Sequence, residues 1–216
     1  MKNRSLYGFL GVCLISFGML ISALFYRGRS GEHYSFLNHF VSELGETPWS
    51  EASWAFNYGL LLGGFLVFVF MISLWQFFDS WLGKIIVIGG MVTSISGSLV
   101  GGFPMNNLNP HIDAAMTFFY SGMLVTILFS VYVCTRYNQK FPKWMVFPGT
   151  ASFLCFFVFL FFTDPIVPEG APVDAMFFVL ENRPPLLETA IFEWAVVFST
   201  LLWIVLLSVF IHKDSV

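Results

Sequence analysis

Few side chains in this sequence carry chemistry, and they recur at a small number of spacings. Ser35, His39 and Glu43 stand four apart, a separation that on a helix brings His39 and Glu43 within reach of one another. A serine, a histidine and an acid in series suggest nucleophilic catalysis, yet one helix rarely supplies the converging positions by which a triad is recognised. His111 and Asp113 lie two apart, which on a helix turns them to different sides. Glu193 is embedded between Ile191, Phe192, Trp194 and Ala195. If its helix starts near Pro185, it sits about 12 Å along the axis, and an ionisable group at such depth faces a bundle interior or a wet cavity. Asn57, at similar depth past Pro48, is its natural partner.

Together these residues compose an acid–base set. His111 or His39 serves as general base, Glu43 or Asp113 orients it, and Glu193 with Asn57 holds a headgroup atom or a water. Acyl transfer or ester hydrolysis suits such types. A metal alternative gathers His39, His111, Glu43 and Asp113 as two histidines and two carboxylates, although no H-x-x-x-H or H-E-x-x-H run is present. A third constellation is Glu51, Asp113 and Glu188, each three residues after a proline: Pro48, Pro110 and Pro185. Proline at the first helical position wastes no N–H, and an acid in the first turn gains roughly 0.3–1 kcal/mol from the helix dipole. Three well-started helices explain this pattern. Three similar hairpins aiming substrate-binding carboxylates at one vestibule explain it equally.

The elements that must position these residues follow from composition. Of 216 residues, 57% are hydrophobic, 19% aromatic and 11% charged, with 28 Phe and a net charge of −3; mean hydropathy is +0.77. Soluble domains carry about 25% charged residues, so this chain lacks the polar surface of a water-exposed globule, and a soluble enzyme is excluded. It is too hydrophobic for disorder. Its scattered Lys and Arg form no basic stripe, so no nucleic-acid partner is expected. Cys13, Cys134 and Cys155 show no C-x-x-C spacing and read as small packing residues rather than a disulfide framework or thiolate site. The sequence names no cofactor and no oligomeric state.

Six stretches satisfy the roughly 20 apolar residues that a crossing helix needs: about 5–26, 54–78, 84–103, 112–134, 144–163 and 188–211. The first is too long for a signal-peptide h-region and reads as a retained helix. The expected fold is therefore an all-α integral membrane protein, one transmembrane domain over 1–216, a six-helix bundle of three similar hairpins. Lys2, Arg4, Lys84, Arg136, Lys140, Lys143 and Lys213 fall on one side, against Arg27, Arg29 and Arg183 on the other, which predicts cytoplasmic N- and C-termini. Most acids, with His33, His39 and His111, then collect at the outer face. Between helices one and two, Phe36, Leu37, Phe40, Val41 and Leu44 recur at helical spacing, predicting an amphipathic outer helix over about 33–44 with Ser35, His39 and Glu43 on its polar face. Gly89, Thr93, Gly97 and Gly101, with Gly59 and Gly63, predict close helix contacts and a tight bundle.

Three segments resemble known families. Ser42-Glu43-Leu44-Gly45 with Thr47-Pro48, then Gly102-Phe103-Pro104 with His111 and Ala115, and finally Phe192-Glu193-Trp194 are similar to motifs of the Frag1/DRAM/Sfk1 group of six-span proteins and of the related prokaryotic domain of unknown function 998. The resemblance implies a role around membrane lipids: eukaryotic members are associated with remodelling of glycosylphosphatidylinositol anchors, with lipid asymmetry and with autophagy. The expectation is lipid handling at the outer face, by headgroup ester hydrolysis or acyl transfer. The alternatives are a non-enzymatic lipid-binding or scaffolding protein and, third, a small-solute transporter.

Overall fold

The computed structural model describes residues 4–47, 49–135, 140–164 and 178–213. Six long helices account for most of them. These are α1 (Arg4–Leu24), α2 (Ser53–Ser73, tightening into a 3₁₀ turn Leu74–Phe77), α3 (Trp81–Gly102), α4 (Leu108–Thr135), α5 (Val146–Phe161, after a 3₁₀ turn Lys143–Met145) and α6 (Glu188–Lys213). All six are long and apolar enough to cross a membrane, α2 and α5 with their 3₁₀ turns included, so the chain is an all-α multi-pass membrane protein. Among the described residues the sole departure toward β-structure is an isolated bridge between Tyr26 and Ser50.

Each helix packs on the next, and α6 packs back on α1. The result is a closed ring of six antiparallel neighbours. Phe17, Leu20, Phe65, Ile88, Phe147 and Leu202 stay exposed, as helices apolar all round require when their outer solvent is lipid. At the end bearing the α2–α3 and α4–α5 turns, α3 starts at Trp81 because the Ser80 hydroxyl accepts from Gly83 N at 3.2 Å, an N-cap. Lys84 therefore sits inside the helix and snorkels, donating to the Trp75 carbonyl at 2.5 Å with its ammonium 4.4 Å from the Trp75 ring, an interfacial anchor. Lys143 caps α4 by reaching the Val133 and Cys134 carbonyls, each at 2.8 Å.

Glycines set the close approaches. A Cβ on Gly11 would lie 2.8 Å from the Gly63 carbonyl oxygen, and one on Gly59 would lie 3.2 Å from the Gly18 Cα, so α1 and α2 touch backbone to backbone. The α3 seam divides between two neighbours: Thr93 Oγ1 lies 2.9 Å from Ser121 Oγ of α4, and Gly97 faces Phe118 of α4, whereas Gly101 faces Asn57 and Leu60 of α2. A four-residue step on a 3.6-residue helix drifts about 40°. Three such steps carry the stripe from one partner to the other.

Two expectations need correction. The three helix starts differ: Glu51 precedes α2, Pro110 and Asp113 lie inside α4, which begins at Leu108, and Pro185 precedes α6, which opens on Glu188. Pro48 lies outside the described residues. Proline is tolerated at the third position of α4 because the first-turn N–H groups have no helical acceptor anyway. The segment 33–44 is not an amphipathic helix either. It runs through a turn to Phe40, whose extended backbone (φ −69°, ψ 150°) precedes a 3₁₀ helix, Val41–Gly45. His39 and Glu43 are buried rather than arrayed on a polar face.

The α1–α2 contact yields a test. Gly18→Val should lower the thermal midpoint in detergent by the equivalent of about 1–3 kcal/mol, the range for overpacking, because its Cβ would collide with the Ala55 carbonyl. Gly102→Ala, whose Cβ would meet Leu61 at 3.7 Å, should leave the midpoint unchanged.

Candidate functional site

The connections α1–α2 and α5–α6 fold together over one end of the ring as a cap. Its centre is Glu43, 1% exposed. Placed third in the 3₁₀ turn, Glu43 reaches back to the Phe40 N–H at 2.7 Å, as the acid of a capping box does. Arg183 then grips both oxygens, Nη1 and Nη2 each at 2.7 Å, and Tyr26 Oη donates at 3.2 Å. Nε and Nη1 of Arg183 also donate to the Leu180 and Asn38 carbonyls at 2.6 and 2.9 Å. Burial disfavours the Arg183 cation, but Glu43 outweighs it and lifts the guanidinium above its ordinary value. Burial, with Glu43 adding to it, also raises Tyr26. A second ion pair, Arg29 with Glu46, sits nearby, its guanidinium 5.4 Å from the Trp49 ring.

Beneath the cap lies a cavity of about 120 Å³ inside the ring. Its polar end carries Glu193 and His111, with Ser42 at the rim; Phe56, Val67, Phe118, Val197 and Ile204 form apolar walls below. From Glu193 to Ile204 it follows α6 for about 16 Å at 1.5 Å per residue. Glu193, 8% exposed, accepts from Val41 N at 2.8 Å through Oε2. His111 Nδ1 lies 2.7 Å from the Phe103 carbonyl. A carbonyl only accepts, so Nδ1 carries the proton and a neutral ring keeps Nε2 as a free acceptor. Two turns below Glu193, the buried Thr200 hydroxyl lines the same cavity with no hydrogen-bond partner. The cavity is thus mostly apolar, with one unpartnered buried hydroxyl, that of Thr200, partway along it.

Of the five candidate acid–base residues, His111 and Glu193 share this cavity and the other three are elsewhere. Glu43 is fully engaged in the cap. His39 lies above it, packed against Tyr34 with ring centroids 5.1 Å apart. Asp113 is exposed and borders a groove between α3 and α4 lined by Ile88, Val92, Leu99 and Phe103. Neither Glu51 nor Glu188 reaches the cavity; both are exposed. No shared vestibule of carboxylates forms from them. Asn57 does not pair with Glu193: its Nδ2 donates to Gly45 O at 3.0 Å. Glu193 and Asn57 instead hold the two ends of the same 3₁₀ turn. No group of three or more His, Cys, Asp or Glu able to hold a metal occurs among the described residues, so the four-ligand metal site is not assembled.

Sequence reasoning missed Arg183 and Thr200. Arg183 had no local signal, because its partner is 140 residues away. Thr200 had one: it follows Glu193 by seven residues, hence on the same helix face.

Removing one partner of a buried ion pair costs about 3–5 kcal/mol, whereas an apolar pair of similar volume can be neutral. Arg183→Met and Glu43→Gln should therefore each lower the thermal midpoint strongly, and Arg183→Met with Glu43→Leu should lose less than the sum. His39 supplies a pH test. Burial pushes its imidazole below the ordinary value of 6.5, despite Glu43 and Glu32 acting the other way. The unfolded chain then binds the proton more readily, so stability is full above pH 6.5 and falls as pH drops toward the folded value. His39→Gln should flatten that decline in detergent melts.

No curated protein and no solved structure matches the chain. A family model described as "Protein of unknown function (DUF998)" matches residues 9–210, which takes in the cap, the cavity and the ring. The chain belongs to the DUF998 family.

Proposed function

We propose that the protein handles a lipid by holding one hydrocarbon chain in the central cavity, with the lipid's polar atoms against His111 and Glu193, and without turning it over. The observation that carries this reading is the distribution of polar groups on the cavity: Glu193 and His111 at the cap end, and inward of them mostly apolar walls broken by the Thr93, Ser94 and Thr200 hydroxyls, the order of an amphiphile entering from the interface. An enclosed volume of about 120 Å³, a little under the roughly 150 Å³ that takes a benzene, receives a few carbons of one chain, and ligand pockets are mostly apolar with few polar groups that fix orientation. The likeness of its motifs to the Frag1/DRAM/Sfk1 group supports a lipid as ligand. Lys84, Lys140 and Lys143 at the opposite end support an outward-facing cap and cytoplasmic termini.

Binding is favoured over catalysis because no hydroxyl on the cavity is held by a base among the described residues. Ser94 donates to Gly90 O at 2.6 Å and Thr93 to Gly89 O at 2.9 Å, Ser42 at the rim contacts Met105 Sδ at 3.2 Å, and Thr200 stands apart. None is hydrogen-bonded to His111. Turnover through water activated by His111 Nε2 is the second reading, carried by that free acceptor.

The test is chain in nanodiscs exposed to a photoactivatable fatty acid and to mixed phospholipids. Cross-links should fall on α2 and α6 peptides around Val67 and Thr200. Leu60→Trp, which fills the cavity, should abolish them, and His111→Phe or Glu193→Gln should weaken retention about tenfold. Release of a free acid or lyso product that His111→Phe eliminates would establish the catalytic reading. Labelling that Leu60→Trp leaves unchanged would overturn both.

A further inference from the structure

On the cap, away from the cavity, is a polar cleft of about 200 Å³ whose lining includes Ser30, Glu32, Ser35, Asn38, His39 and the Glu43-bound Arg183. It shares no lining residue with the central cavity. The turn before it is built to present Glu32. Gly28 N donates to Glu32 O at 2.9 Å, Gly31 adopts φ +79°, and a side chain at Gly28 would run into the Glu32 carboxylate. Ser30 N donates to Glu32 Oε2 at 2.9 Å. Burial opposes ionisation of Glu32, but the backbone N–H groups of Glu32 itself and of Ser30, with electrostatic help from His39 and Arg183, outweigh it and hold the carboxyl below its usual range.

Opposite stands His39, 2% exposed. Asn38 Nδ2 donates to Pro184 O at 3.1 Å, which fixes the amide and makes Asn38 Oδ1 the acceptor 2.9 Å from His39 Nδ1. Ser35 N–H also points at Nδ1, from 3.3 Å, but the shorter contact to Asn38 Oδ1 decides the tautomer: Nδ1 carries the proton of the neutral ring, and Nε2 offers a lone pair. That nitrogen is buried without a hydrogen-bond partner. Across from it, at 3.6 Å, lies Glu32 Oε1. A buried nitrogen acceptor thus faces the Glu32 carboxylate, whose side chain is 33% exposed, with no donor between them. The cations nearby are committed: Arg183 to Glu43, and Arg29 to Glu46 and Glu181. Among the described residues no Lys or Arg pairs with Glu32.

We infer that this cleft binds a primary ammonium group, seated between the Glu32 carboxylate and His39 Nε2. Such a group brings a positive charge and three N–H donors. One is directed to Glu32 Oε1, one to His39 Nε2, and the third to the Ser30 or Ser35 hydroxyl on the cleft wall. A quaternary ammonium has the charge but no donor and leaves Nε2 unsatisfied. The amine belongs either to a soluble molecule or to an aminophospholipid headgroup, and the two sources share this chemistry. The site does not depend on the cavity's occupant, so failure of either reading leaves the other intact.

The experiment uses the full chain in phosphatidylglycerol nanodiscs, titrated with ethylammonium chloride and, separately, tetramethylammonium chloride, while the thermal midpoint is followed. Ethylammonium should raise the midpoint saturably and tetramethylammonium should not. Glu32→Gln should fold normally, because the new amide can itself donate to His39 Nε2, and should weaken the ethylammonium response about tenfold. His39→Phe, which keeps the ring packing against Tyr34 but removes Nε2, serves as a second variant and should also weaken the response. If discs containing phosphatidylethanolamine raise the midpoint and abolish the response to the soluble amine, the ligand is the headgroup; if they do neither, it is a soluble amine. No saturable response in any disc, an unchanged response in Glu32→Gln, or equal potency of tetramethylammonium would overturn the proposal.

Discussion

A carboxyl and a guanidinium brought out of water together hold the cap in place. Glu43 and Arg183 have each lost nearly all solvent, and each is paid back only by the other and by the carbonyl and N–H groups around them. Because the pair joins the α1–α2 connection to the α5–α6 connection, it determines where Val41, His39 and Asn38 sit. Val41 then offers its N–H to Glu193, and the turn it begins is held at its far end by Asn57. The polar end of the cavity and the wall of the amine cleft are both built on the same five-residue 3₁₀ turn and the residues just before it.

Below the cap the physics changes. Helices α1 to α6 are apolar on every side, so burial of apolar surface does little to choose their partners; close backbone approach does that instead. Gly11 against Gly63 and Gly18 against Gly59 bring α1 and α2 together, and the drifting α3 stripe ties α4 to α2. Phe70, Phe129, Phe141 and Trp203 fill the end of the ring away from the cap. Toward the cap the filling is incomplete, and the space left over is the cavity that His111, Glu193 and Thr200 border.

This division explains what the sequence revealed. Spans were legible because an apolar run of helix length has one reading in a membrane, and edges moved by a few residues where a cap such as Ser80 or a snorkelling Lys84 set them. Glu193 was legible for the same reason, an acid where none is cheap. The cap was not. The period of Phe36, Phe40, Val41 and Leu44 fits an amphipathic helix, but periodicity carries no information about an arginine 140 residues on, and Arg183 turns the supposed polar face inward. His39 and Glu43 were recognised as chemically notable and assigned to the wrong task. Asn57 was placed at the right depth but against the wrong partner, because depth says nothing about azimuth.

The closed ring also sets an order of events. The most extensive helix contacts join neighbours in the chain, with the exception of α6 on α1, and Phe129 of α4 meets Trp203 of α6 across the ring, so successive hairpins can settle as they are made. The clamp cannot. Until residue 183 has been synthesised and α6 has come to rest against α1, Glu43 is without its guanidinium and Glu193 without the Val41 N–H. The cap is the last part of the molecule to settle, and a chain interrupted before its final helix would still carry Glu43, Arg183 and the cleft around Glu32 but lack Glu193, the group that ties the 3₁₀ turn to the bundle.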